Sequence, residues 1–314
     1  MKPRCPPRSE RCRATPPPTR ASGLGLIELM IAITLGMLIL LAIVRLYMAS
    51  LDSQQAESDV AQLNDSARAA FDALGAALRK AGYRSPLGAT ALPLLCAAPP
   101  AGSAFPVQGA TLLGSNAPAA IDPANATLAG STVTPVNSSD VLRVRYLAGV
   151  ATQEAATRDC LGNTVADNAL VEDTFYVAND PSNGNQPALF CHSMVANASP
   201  PLTADVSAPL VAGVETLQLF YGEDTDGDGV VNRYLPWSST TAADKVVGVK
   251  AALVIRGPSQ GNVSRTSNFA LFGPNYPAST NADLGASFSA TSRHLRKMFD
   301  AEISLRNAPG CDAL

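Results

Sequence analysis

Side chains that carry catalysis or bind metals are scarce in this chain. It has only two histidines, His192 and His294, far apart in sequence and each inside a strand-like run. No Cys-x-x-Cys pair or Cys/His cluster offers zinc a ligand set. Serine is abundant, but no glycine pattern of a phosphate-binding loop occurs. These absences leave an enzyme little to build on, so the expectation is a protein without catalytic activity and with no required cofactor. Charge is sparse as well, at 16% of 314 residues, and the part from Leu24 onward is net acidic. An acidic surface argues against nucleic-acid binding. No internal repeat is found.

Charge all but disappears between Leu24 and Val44, where Glu28 is the single charged residue. Twenty-one such residues make a helix about 31 Å long, enough to cross the hydrocarbon core of a bilayer. A carboxylate inside a span costs about 2.5–3.5 kcal/mol on insertion scales, so Glu28 asks for a partner. Ahead of the run, residues 1–22 carry six basic residues against one acid, Glu10, together with six prolines. They read as a cytoplasmic leader rather than a folded element, and their positive charge places the acidic remainder on the other side of the membrane.

Proline is absent between Pro18 and Pro86, so helical pattern can run on past the membrane. Val60, Leu63, Ala67, Ala70, Phe71, Leu74, Leu78 and Ala81 form an apolar stripe at steps of three and four. Gln54, Glu57, Asp65, Arg68, Asp72 and Arg79 form the opposite, polar face. Arg79 and Lys80 complete the last turn, Gly82 is the expected C-cap, and Pro86 lies beyond. The helix is thus expected over 24–82, with 24–44 in the membrane.

Residues 83–140 read as a long irregular connection, rich in Ala, Pro, Gly, Ser and Thr. A β-rich domain follows over 141–314, with strand-like runs at Val141–Leu147, Thr174–Val177, Ala188–Met194, Val214–Tyr221, Val246–Arg256 and His294–Leu305. In the fourth run Val214, Thr216, Gln218 and Phe220 would face one way and Leu217, Leu219 and Tyr221 the other. The expected fold is α+β: a long N-terminal helix, its first half transmembrane, packed on an antiparallel sheet.

Two further groups are candidate sites. Cys96, Cys160, Cys191 and Cys311 lie on the oxidising side and imply two disulfides in any of three pairings. Asp224, Asp226 and Asp228, with Gly229 and Asn232, match the first half of an EF-hand loop and are a candidate Ca²⁺ site. Position twelve of that register is Leu235, so no bidentate acid closes the loop. A polar hairpin turn in which Asp and Gly serve the backbone remains the alternative. Trp237, Tyr234 and Phe220 read as packing residues rather than a ligand cage.

Gly23-Leu24-Gly25-Leu26-Ile27-Glu28-Leu29, after a basic leader and before a long apolar helix, resembles the class III signal of the type IV pilin superfamily. It departs in Leu24, where Phe is usual, in Gly25, where Thr or Ser is common, and in a long leader. Further patches resemble the PilW group of minor pilins: Ala67–Asp72, Leu78–Arg84, Val214–Gly222, Asp224–Gly229 and Ile303–Asn307. The resemblance implies cleavage after Gly23 by the prepilin peptidase and methylation of the new N-terminus at Leu24. It also implies an intersubunit role for Glu28, paired with the amine of a neighbour, in entry to the growing pilus. The implied partners are other minor pilins, the major pilin and the inner-membrane assembly platform. The implied location is the inner membrane, single-pass with a periplasmic C-terminal domain, and then the extracellular pilus. Rival readings are a minor pseudopilin of a type II secretion system and a pilus-tip adhesin.

Overall fold

The structure, a computed structural model, describes residues 25–83, 112–115, 127–128, 131–132, 135–152, 154–196, 202–237, 245–273 and 287–307. Its first element is one α-helix, α1, Leu26–Lys80. The described residues up to Gln54 form one unit and those from Gln55 onward a second. In the first unit the described side chains are exposed from Gly25 to Gln54, Gly36 alone being intermediate. Its apolar residues, Leu26 to Leu51, are the solvent-facing hydrophobics of a helix long and apolar enough to cross a membrane.

In the second unit the last turns of α1 supply Leu63, Ala67, Ala70, Leu74, Ala77 and Leu78 to the main core. The stripe differs from the sequence reading at its start. Val60 is exposed and Asp59 is buried in its place, because Ser259 Oγ donates to Asp59 Oδ1 at 2.8 Å and Gly257 leaves room beside it. Gly82, at φ 69°, ends the helix. Its N–H donates to Arg145 O (2.9 Å), and Leu147 N–H donates to Tyr83 O (2.9 Å), which ties the helix end to a strand.

The strands are β1 (Leu112–Ser115), β2 (Thr127–Leu128), β3 (Ser131–Thr132), β4 (Val141–Leu147), β5 (Leu170–Asp180), β6 (Gln186–Ala196), β7 (Leu202–Ala212), β8 (Val214–Glu223), β9 (Arg233–Leu235), β10 (Val246–Ala270) and β11 (Ser287–Ser304). They build two main antiparallel sheets where the sequence suggested one. One sheet has the order β1-β4-β5-β6-β7 and the other β11-β10-β8-β9, with β2-β3 as a separate pair. At Gly213, between β7 and β8, the chain passes from one main sheet to the other. The Gly213 φ is +83°, and a Cβ there would lie 2.7 Å from Arg256 O, so the corner requires glycine.

Leu142, Tyr146, Phe175 and Leu189 of one sheet and Leu217, Leu219, Tyr221 and Leu253 of the other meet the helix in a single core. Val214 also joins this core, against the strict alternation read from sequence, because the β8–β10 register shifts between Val254 and Ile255. Phe220 keeps the opposite face. Beyond Arg256 the hairpin of β10 and β11 slips register twice, and Arg265–Ala270 then pair with Ser287–Ser292. Leu271 and Phe288 from this distal part close on Ala252 and Val254, and the Phe272 ring lies 4.0 Å from that of Phe220. The hairpin therefore doubles back over the outer face of its own sheet. That fold-back explains why every residue of β8 is buried.

Candidate functional site

Glu28 occupies the third position of α1. Leu29 N–H donates to Gly25 O at 3.1 Å, which makes Gly25 the N-cap. Gly25 N–H in turn donates to Glu28 Oε2 at 3.2 Å. This is the returning half of a capping box, in which a carboxylate satisfies an amide that the helix leaves unpaired. It sits at the positive end of the helix dipole, where a negative charge is favoured. Gly23 and Leu24 lie outside the described residues.

The Asp loop joins β8 to β9, whose register pairs Tyr221 with Leu235 and Glu223 with Arg233. Leu235, at position twelve, is therefore a strand residue. Asp224 uses both carboxylate oxygens on the turn: Oδ1 accepts from Gly227 N–H (2.6 Å) and Asp226 N–H (3.2 Å), and Oδ2 accepts from Gly229 N–H (2.7 Å). The Gly229 amide, then that of Gly227, holds the Asp224 carboxyl below its ordinary range. Asp228 Oδ1 accepts from Val230 N–H (2.8 Å), and Asn232 Oδ1 from Thr225 N–H (2.6 Å). Asp224, Asp226 and Asp228 each offer an oxygen within 4.8 Å of the others, so the three could hold a divalent cation. The hydrogen bonds already present make the same residues a self-sufficient hairpin turn.

Cys160 and Cys191, 31 positions apart in sequence, form a disulfide with a Cα–Cα distance of 6.4 Å. Cys96 and Cys311 lie outside the described residues. Around this bond is a polar cluster that sequence reasoning did not single out. Asp173 is fully buried on the core-facing side of β5, beside Phe175 and Val171. Tyr146 OH donates to Asp173 Oδ2 at 2.8 Å. Lys80 Nζ is 3.9 Å from that oxygen and donates to Tyr146 OH (3.1 Å) and Arg158 O (2.8 Å).

Burial pushes Asp173 up to about 6, against the opposing pull of Lys80 and the Tyr146 hydrogen bond. Burial also raises Tyr146, helped by the charge of Asp173, and lowers Lys80 against the attraction of Asp173 and Asp159. The available signal was an acid at an inward position of an alternating strand, in Val171-Glu172-Asp173-Thr174-Phe175. Because Cys160 and Cys191 are bonded to each other, their sulfurs with Asp173 do not form a thiolate metal site. Trp237 packs edge-on to Tyr221 at 4.9 Å.

Residues 174–307 match the family described as type IV pilus-assembly protein W, PilW. The match runs from β5 to the end of the described chain and includes Cys191, the Asp loop and the doubled-back hairpin. No curated protein matches the chain. Among solved structures, a type IV-like pilin from Thermus thermophilus is similar at 18% identity over 78% of this chain and 98% of that one, with a TM-score of 0.42. The architecture rests on the elements above rather than on that likeness. The match over residues 174–307, together with a long apolar helix ahead of antiparallel sheets, supports a PilW-type type IV pilin.

Proposed function

We propose that this pilin is a minor pilin of a type IV pilus, which joins other minor pilins in initiating assembly and stays at the filament tip. The observation that carries the reading is α1. One unbroken helix has Glu28 as its only charge through the apolar run and ends as the central element of the folded core. In this reading residues 1–23 are the leader, cut after Gly23 by the prepilin peptidase, and Leu24 becomes the methylated N-terminus. Residues 24–82 form the assembly helix, 83–140 the connection and 141–314 the periplasmic pilin domain. The apolar residues of the helix serve the inner membrane first and the filament interior afterwards, with the assembly platform and the major pilin as further partners. The work is association, with no turnover and no required cofactor. The match to a pilus-assembly family favours the pilus over a type II secretion pseudopilus.

The capping role of Glu28 sharpens the assembly step. In a subunit on its own the carboxylate has the Gly25 amide; the amine of a neighbouring Leu24 would add the cation that offsets its desolvation. Glu28→Ala is expected to leave processing largely intact and to impair incorporation into pili, read by immunoblots of sheared filaments. Gly23→Ala is expected to impair both. Equal incorporation of the Glu28 variant would reduce the run to a membrane anchor.

A further inference from the structure

An acid on the core face of a sheet needs a reason, and Asp173 lies against a disulfide. A carboxylate oxygen of Asp173 is within 4.8 Å of both Cys160 and Cys191 sulfurs. Its Oδ2 is taken by Tyr146, while the Cys160 backbone amide and the Ser193 hydroxyl lie close to the buried carboxylate. The groups facing it are Lys80 from α1, Tyr146 from β4, Cys160 from the loop before β5, and Cys191 and Ser193 from β6, and Asp159 of that loop acts on Lys80 and Tyr146. The two cysteines differ in burial: Cys191 is fully buried in the core, whereas Cys160 is only partly buried, so Cys160 is the end nearer to solvent.

We propose that the Cys160–Cys191 bond is a thiol–disulfide exchange site for a dithiol partner, with Asp173 as its proton donor on opening and its proton acceptor on closing. On opening, a thiolate of the dithiol attacks Cys160 Sγ. The S–S bond breaks and its electron pair leaves on Cys191 Sγ, which takes the Asp173 proton. A buried thiolate in an apolar core would be a poor leaving group, and the adjacent acid removes that charge as it forms. The second thiolate of the dithiol then attacks the mixed disulfide and expels Cys160, which is protonated from water. The dithiol has supplied two electrons and departs as its own disulfide. Closing by a disulfide oxidant runs the same steps in reverse, with the Asp173 carboxylate taking the Cys191 proton. The elevated affinity of Asp173 for its proton suits both directions near neutrality.

The exchange has a mechanical consequence. The loop that carries Cys160 also holds the end of α1, through Lys80 to Arg158 O and through Tyr83 OH to Glu154. Opening the bond loosens the clamp between that loop and the helix terminus.

The test is the rate at which dithiothreitol reduces this bond in the full-length protein in detergent micelles, followed by alkylation of Cys160 and Cys191 and peptide mass spectrometry. Expressed per dithiothreitol thiolate, the wild-type rate is expected to fall as pH rises through about 6. Asp173→Asn is expected to lose that profile and to be slower at pH 5 by on the order of 100-fold. Tyr146→Phe removes a hydrogen bond that holds Asp173 down, so its midpoint is expected at higher pH. A flat wild-type profile, an unchanged profile in Asp173→Asn, an unchanged midpoint in Tyr146→Phe, or a rate that saturates with dithiothreitol because unfolding comes first would each overturn the proposal.

Discussion

Asp173 departs from the pattern of its strand: its neighbours on the core face, Val171 and Phe175, are apolar, and it is an acid. Its folded-state value, about 6, lies above the 3.8 of an ordinary carboxyl, so the folded protein holds this proton more tightly than the unfolded chain. The resulting stabilisation is full below about 3.8 and is lost as pH rises through about 6. Melting temperatures measured from pH 4 to 7 should therefore fall in the wild type relative to Asp173→Asn; parallel curves would contradict the burial argument. Glu28 was legible from composition alone, because one acid in an apolar run is conspicuous. Its capping of Gly25 was not, since a helix N-terminus is fixed by backbone geometry that adjacent apolar residues do not reveal. Asp59 was missed for a related reason. It is buried only because Ser259 and Gly257, about 200 residues away in sequence, close over it.

At the scale of elements, the second half of α1 acts as a core helix, and Leu74 is fully buried among both sheets. Leu74→Ala should destabilise the folded domain by about 2–5 kcal/mol, measured by denaturant unfolding. A loss near zero would mean that the helix does not anchor the core. In the β8–β9 loop, Asp224→Ala should lower the melting temperature more than Asp228→Ala, because Asp224 holds three backbone amides and Asp228 one. Ca²⁺ titration separates the two readings of this loop. A rise in melting temperature at millimolar Ca²⁺ that Asp226→Asn removes establishes a cation site, and no shift leaves the loop a turn.

The pattern of apolar and polar residues located β4 and the central parts of β5, β6 and β8, where burial writes alternation or a continuous apolar run. It missed β7, whose Pro209 and scattered alanines carry little strand signal. It also stopped β10 at Arg256, fourteen residues early, because the continuation is polar, glycine-bearing and bulged. Such a ribbon is held by pairing with its partner strand rather than by burial of alternate residues, and its fold-back is a tertiary event with no local signature.

At the scale of the whole molecule, the two units solve different problems with one helix. The first presents apolar side chains outward, and the second closes a helix and two sheets around one core. The α+β class was legible because both patterns are long and strongly periodic. The division into two sheets was not, since it turns on the corner at Gly213. The family match covers the sheets from β5 onward, whereas the proposed processing signal lies ahead of the helix, so the functional account depends on joining the two ends of the chain. Intact-mass and N-terminal peptide mass spectrometry of the protein isolated from membranes or pili tests that joint most directly. The account predicts a chain that begins at Leu24 with a methylated amine and retains Glu28 in its first peptide. A mature chain that begins anywhere else would contradict it.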